Sequence, residues 1–87
     1  MNWDFEVIFS PKGLKNLKLL DKQSQMRIKE AIDRLAYYPP KGDVIKLKGG
    51  QNELRLRVGD WRITFEYLFS ERQVNILTIK HRREAYR

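Results

Sequence analysis

Metal-free cleavage of a phosphodiester needs a base for the attacking hydroxyl, cations for the charge gathering on phosphorus, and an acid for the departing oxygen. Residues of all three types crowd into the second part of this chain. The segment ELRLRVGDWRITFEYL (Glu53–Leu68) sets Arg55, Arg57 and Arg62 among apolar residues, and the terminal IKHRREAYR (Ile79–Arg87) carries Lys80, His81, Arg82, Arg83 and Tyr86. His81 is the single histidine of the chain, and imidazole titrates near neutrality without help from its surroundings. Arg62 and Lys80 are candidates for stabilising the charged intermediate. His81, Tyr86, Lys80 and Glu53 are the candidates for moving protons. Tyr86 could instead stack on a base, which contributes roughly 1–3 kcal/mol. Carboxylates at metal-ligand spacing are missing from this group, so neither a metal nor another cofactor is expected.

The element that must position these residues is a hairpin. Gly59-Asp60 reads as a two-residue turn with glycine at its first position, between strands Glu53–Val58 and Trp61–Phe69, and a further strand follows at Gln73–Lys80. Such a turn sets Val58 opposite Trp61, Leu56 opposite Ile63 and Leu54 opposite Phe65 on one apolar face. The other face then pairs Arg57 with Arg62, Arg55 with Thr64 and Glu53 with Glu66. A three-residue loop at Ser70–Arg72 brings Lys80 opposite Arg62, whereas a two-residue loop brings Ile79 there. With the longer loop, Arg57, Arg62 and Lys80 form a row across three strands, a phosphate cradle by geometry. Facing like charges cost a sheet a few tenths to roughly 1 kcal/mol per pair, so the row points to an anion. The plain alternative is a set of solvent-facing charges partly neutralised by Glu53 and Glu66.

Upstream, Trp3–Phe9 alternates as a first strand. Ser10-Pro11 caps a short helix with Leu14, Leu17 and Leu20 on one side, and Asp21 caps a longer one. In the second helix Ile28, Ala31, Ile32 and Leu35 form a core stripe, which Tyr37-Tyr38-Pro39-Pro40 ends. Lys41–Asn52 is expected to be a loop; its KLKGG segment (Lys46–Gly50) offers Lys46 and Lys48 as backbone-binding cations. The order β-α-α-β-β-β predicts an α+β fold with a helical hairpin on one face of a small, mainly antiparallel, twisted four-stranded sheet, in one domain spanning 1–87.

Composition agrees with a nucleic-acid partner. Residues 1–44 hold eight Lys/Arg against six Asp/Glu, and residues 45–87 hold ten against five, seven of those ten being Arg. Arginine's planar fork suits bidentate phosphate contacts. Cysteine is absent, so disulfides are excluded and a reducing cytoplasm is the expected location. The acidic N-terminus lacks the pattern of a signal peptide, and no apolar run approaches the roughly 20 residues that span a bilayer.

With these residues in place, the chain resembles the RelE/ParE superfamily of toxins, and within it the RelE type. The matching elements are the KLKGG loop, the LRLRVGDWRITFEY hairpin and the terminal HRREAYR. The ParE branch, whose members poison DNA gyrase, shares the hairpin but tends to lack the terminal tyrosine. The resemblance implies a toxin of a type II toxin–antitoxin pair, acting as a ribosome-dependent endoribonuclease on mRNA, with rRNA contacts, and held inactive by a cognate antitoxin. By position, Arg62 matches the hairpin arginine that stabilises the transition state. Lys80 occupies the place of a basic residue before the tail, Arg55 that of a strand cation, and Tyr86 that of the tail tyrosine. Glu53 stands where the best-known member has lysine. Either Glu53 or His81 would then take the first proton, with Arg57, Arg82 and Arg83 holding backbone. Two rival readings are a ParE-like gyrase inhibitor and a non-catalytic module that binds RNA or antitoxin.

Overall fold

The computed structural model describes residues 3–48 and 52–85. Tyr86, and Gly49-Gly50 of the KLKGG segment, lie outside them.

The expected first strand is split. β1 (Trp3–Asp4) and β2 (Glu6–Phe9) flank Phe5, because the two halves pair with different partners. β1 joins β3 (Tyr37–Tyr38) in a two-stranded ribbon, while β2 enters the main sheet. Phe5 is buried between them, and its N–H donates to the Ala36 carbonyl at 2.7 Å.

Helix α1 (Pro11–Lys18) starts as its sequence dictates: Ser10 Oγ accepts from the Gly13 N–H at 2.9 Å and proline opens the first turn. Leu17 is buried, but Leu14 is 40 % exposed and leaves the expected apolar side. Helix α2 (Lys22–Asp33) is capped by Asp21, which accepts from the Ser24 N–H at 3.3 Å. Hydrogen bonds from the Ser24 side chain and backbone hold the Asp21 carboxyl below its usual range. Gln25 Nε2 donates to the carbonyls of Leu17 and Leu20, tying the second helix to the end of the first. Ile28 and Ile32 are buried, as is Leu35 in a 3-10 turn (Arg34–Ala36). No helix among the described residues is long and apolar enough to cross a membrane.

Among the described residues the main sheet has five strands rather than the expected four. β4 (Val44–Lys46), β5 (Glu53–Val58), β6 (Trp61–Leu68) and β7 (Gln73–His81) join β2 in the order β2-β7-β6-β5-β4, with only β2–β7 parallel among the described pairings. The added strand lies inside the stretch expected to be a loop. Its Val44 and Ile45 suit a pleated edge, and Val44 faces Leu56 while Ile45 faces Arg55. A short helix, α3 (Arg82–Ala85), follows β7. One face of the sheet carries Leu56, Ile63, Phe65, Tyr67, Val74, Ile76 and Ile79 into a core shared with Phe5, Leu17, Ile28, Ile32 and Leu35.

The β5–β6 register is the expected one, with Gly59 at φ +57° supplying the conformation that the first turn position demands. The β6–β7 register arises differently. Phe69–Arg72 connect the strands, and Leu68 faces Gln73, Tyr67 faces Val74 and Phe65 faces Ile76. That is the register of the two-residue loop, which continued unbroken would set Ile79 across from Arg62. A bulge between Thr64 and Phe65 leaves Leu77 as an extra residue on β7, so Thr64 faces Thr78 and Arg62 faces Lys80. The row forms, by way of a bulge rather than of loop length.

Candidate active site

On the face away from the helices, three rows cross the strands. The first is Lys80, Arg62 and Arg57; the second Thr78, Thr64, Arg55 and Ile45; the third Asn75, Glu66 and Glu53. Cations thus occupy the end near the β5–β6 turn and carboxylates the opposite end. Four residues of strand separate Arg57 from Glu53, about 13 Å at strand spacing.

Arg62 differs from the surface cation that its position suggests. It is only 7 % exposed, and Nη1 donates to the carbonyls of Gly59 at 2.8 Å and Trp61 at 3.1 Å. These bonds turn the guanidinium toward the hairpin turn and hold it. Two shallow clefts share it: one is lined with Asp43, Ile45, Arg55 and Arg57, the other with Leu47, Arg55, Thr64, Thr78 and Lys80. Arg57 forms an ion pair with Asp43, whose backbone carbonyl also accepts from the Arg57 N–H at 2.9 Å. Part of the charge of the row is therefore already offset.

The remaining candidates scatter. His81 faces Trp61 across the strands, one residue beyond Lys80 and so on the opposite face of the sheet. Its ring meets the Trp61 ring edge-on, with centroids 5.4 Å apart. Its Nδ1 accepts from the Arg83 N–H at 3.4 Å. Arg82 folds back onto the turn, its N–H donating to the Asp60 carbonyl at 2.7 Å and its guanidinium 3.8 Å from the Asp60 carboxylate. Asp60, His81, Arg82 and Arg83 line a separate cleft there. Lys46 faces Leu54 and lines a cleft with Tyr38, Asn52, Tyr67 and Phe69, on the helix side of the sheet and away from Arg55. Lys48 is exposed beyond β4. Glu53 shares the face of Arg62 but stands at its far end; Glu66 beside it accepts from Asn75 Nδ2 at 3.3 Å.

The fold thus brings together Arg55, Arg57, Arg62 and Lys80, with Thr64 and Thr78 between them, and separates them from His81, Lys46 and Glu53. Sequence reasoning overlooked Asp43 and Leu47 as lining residues. The signal available was the β-branched pair Val44-Ile45, which marks a strand laid beside β5.

A helical hairpin packed on a five-stranded, mostly antiparallel sheet is the architecture of RelE toxins. The isolated E. coli RelE toxin superposes with a TM-score of 0.77 at 14 % identity, over 88 % of this chain and 83 % of that one, a likeness of fold alone. The RelE–RelB complex from Pyrococcus horikoshii OT3 is nearer in sequence, at 32 % identity and a TM-score of 0.75 over 91 % of this chain and 96 % of the matched one. The chain is also 33 % identical over 86 residues to the protein named RelE1 of Methanocaldococcus jannaschii, covering 95 % of this chain and 96 % of that one. The model of the ParE toxin of type II toxin–antitoxin systems matches residues 7–86. The chain therefore belongs to this family of the RelE/ParE superfamily and is a toxin of the type II toxin–antitoxin class.

Proposed function

We propose that the chain is a metal-independent endoribonuclease that cuts mRNA on the ribosome and is neutralised by a RelB-like antitoxin. The observation that carries this reading is the anchored Arg62, almost buried yet lining two clefts with Arg55 and Lys80. A cation oriented before substrate arrives stabilises developing charge without reorganising, commonly the largest catalytic term. In the reaction, the 2′-oxygen attacks phosphorus and loses its proton to a base. The bond to the 5′-oxygen then breaks, that oxygen takes a proton, and a 2′,3′-cyclic phosphate is left.

Arg62 and Lys80 neutralise the pentacovalent phosphorane, and the Lys80 ammonium is the proton donor within the row. Arg55 and Arg57 hold the backbone on either side, Arg82 and Arg83 the strand where it rounds the end of β7. His81 is the first candidate to take the first proton, although it faces Trp61 on the opposite side of the sheet from Lys80, with Glu53 the alternative, and Tyr86 stacks on or activates the substrate. Solved relatives are complexes of RelE with RelB, which supports an antitoxin partner for this chain with its net charge of +7. The rival, a gyrase inhibitor without nuclease chemistry, draws support from the description of the matching family model.

Primer extension on mRNA from cells expressing the chain, beside a gyrase supercoiling assay, separates the two. Discrete cuts in translated mRNA with normal supercoiling are expected. Uncut mRNA with blocked supercoiling would overturn the ribonuclease reading.

A further inference from the structure

β7 changes neighbours half-way along. From Gln73 to Ile76 its outer edge pairs with β2. Beyond Ile76 the chain of β2 has turned into α1, and the outward polar groups of β7 need other partners. Helix α1 and its cap supply them. The Ser10 N–H donates to the Ile76 carbonyl at 3.0 Å, the Ser10 hydroxyl donates to the Leu77 carbonyl at 3.0 Å, and Asn16 Oδ1 accepts from the Ile79 N–H at 3.0 Å. The same Ser10 oxygen caps α1, so the start of the helix and the bracing of the strand depend on one group. The close approach requires Gly13, where a Cβ would stand 2.3 Å from the Ile76 oxygen.

These bonds bracket Leu77, the extra residue of the bulge, and the bulge decides which side chain faces Arg62. We propose that Ser10 and Asn16 are positioning residues: they lock the bulge at Leu77 and thereby keep Lys80, rather than Ile79, in the cationic row. Successive strand residues point to opposite faces, so a one-residue slip would exchange a cation for an isoleucine. Burial of Ile79 favours the same register, but burial does not fix where along the strand the extra residue sits. Directed bonds to Leu77 and Ile79 do. The geometry stands by itself; its catalytic consequence rests on the ribonuclease reading.

The test uses the full chain carrying Asn16→Leu, with two readouts. By NMR, the Ile79 amide is expected to lose protection and the cross-strand Arg62–Lys80 contact to weaken. On ribosomes programmed with mRNA, kcat is expected to fall on the order of a hundredfold, the scale of a small misplacement of a reacting group, with KM little changed. Asn16→Asp, which keeps the acceptor, should restore both readouts. In a Lys80→Ala background, Asn16→Leu should cause no further loss, which a merely structural role would not predict. If Asn16→Leu fails to fold, Asn16→Ala removes the same acceptor. An intact Arg62–Lys80 contact, or an equal loss in the Lys80→Ala background, would overturn the proposal. Failure of the unaltered chain to cut mRNA would instead count against the ribonuclease reading, and the NMR result alone would then decide the bracing.

Discussion

Arg62 donates from Nη1 to the carbonyl of Gly59, three residues back across the turn of its own hairpin. The central cation of the open face is thus anchored by the turn that creates its register. Gly59 supplies both the φ of +57° and the accepting oxygen. An arginine held in this way keeps its guanidinium in a fixed direction, which a flexible surface cation does not.

Arg62→Ala is expected to lower cleavage by about 10²–10³-fold, the usual effect of removing one preorganised donor, and to abolish growth arrest. Arg62→Lys should rescue little, because an ammonium cannot hold the turn carbonyls and present a planar fork together. Thermal denaturation should find the lysine variant folded. Full toxicity in either variant would remove Arg62 from the site.

Asp43→Asn should tighten RNA binding. The substitution frees Arg57 from its ion pair and removes a carboxylate from a cleft where phosphate is expected. One more phosphate contact steepens the log–log salt dependence by about 0.7 for a single strand. Stability should change by no more than about 1 kcal/mol, since the pair is partly solvated. A salt titration of RNA affinity that leaves the slope unchanged would show that Arg57 does not touch the backbone.

The two candidates for the first proton make opposite predictions. His81 adjoins Lys80 where the chain leaves the sheet, whereas Glu53 lies about 13 Å from the Arg57–Arg62 row by strand spacing. His81→Asn is therefore expected to lower kcat by about 10²–10⁴-fold, the usual contribution of a positioned acid or base, and Glu53→Gln to leave it little changed. The reverse result would move the base to Glu53 and place the scissile phosphate nearer the carboxylate end.

Tyr67 makes stability depend on alkaline pH. Its hydroxyl donates to the Leu35 carbonyl at 2.7 Å, and burial, helped by Tyr38, raises its pKa from 10.0 to about 12. The folded state then keeps a proton that the unfolded chain releases. The stabilisation is complete below pH 10 and is lost as pH rises toward 12. The gap corresponds to roughly 2–3 kcal/mol. Tyr67→Phe should cost about 1–3 kcal/mol at neutral pH by leaving the Leu35 carbonyl unpaired. It should also make the decline above pH 10 shallower in urea titrations.

Much of the fold is legible along the chain because local chemistry speaks for it. Ser10-Pro11 and Asp21 announce helix starts, the Ile28–Leu35 spacing announces a buried face, and Gly59-Asp60 sets the register of β5 against β6. The split at Phe5 and the edge strand Val44–Lys46 are less legible. Two or three residues become a strand only when a partner lies beside them, and those partners are distant in sequence.

The sequence by itself determined which residue types are present and the pairing of Arg57 with Arg62, since a two-residue turn leaves one register. It also placed the chain in its superfamily through the hairpin and tail. Only the tertiary structure decided that Lys80 completes the row, because that depends on a bulge held by Ser10 and Asn16 from another element. It likewise decided that Arg62 is buried and anchored, and that His81 turns to the other face against Trp61. Local rules govern residues a few positions apart; the direction of a side chain in a sheet depends on every pairing across it.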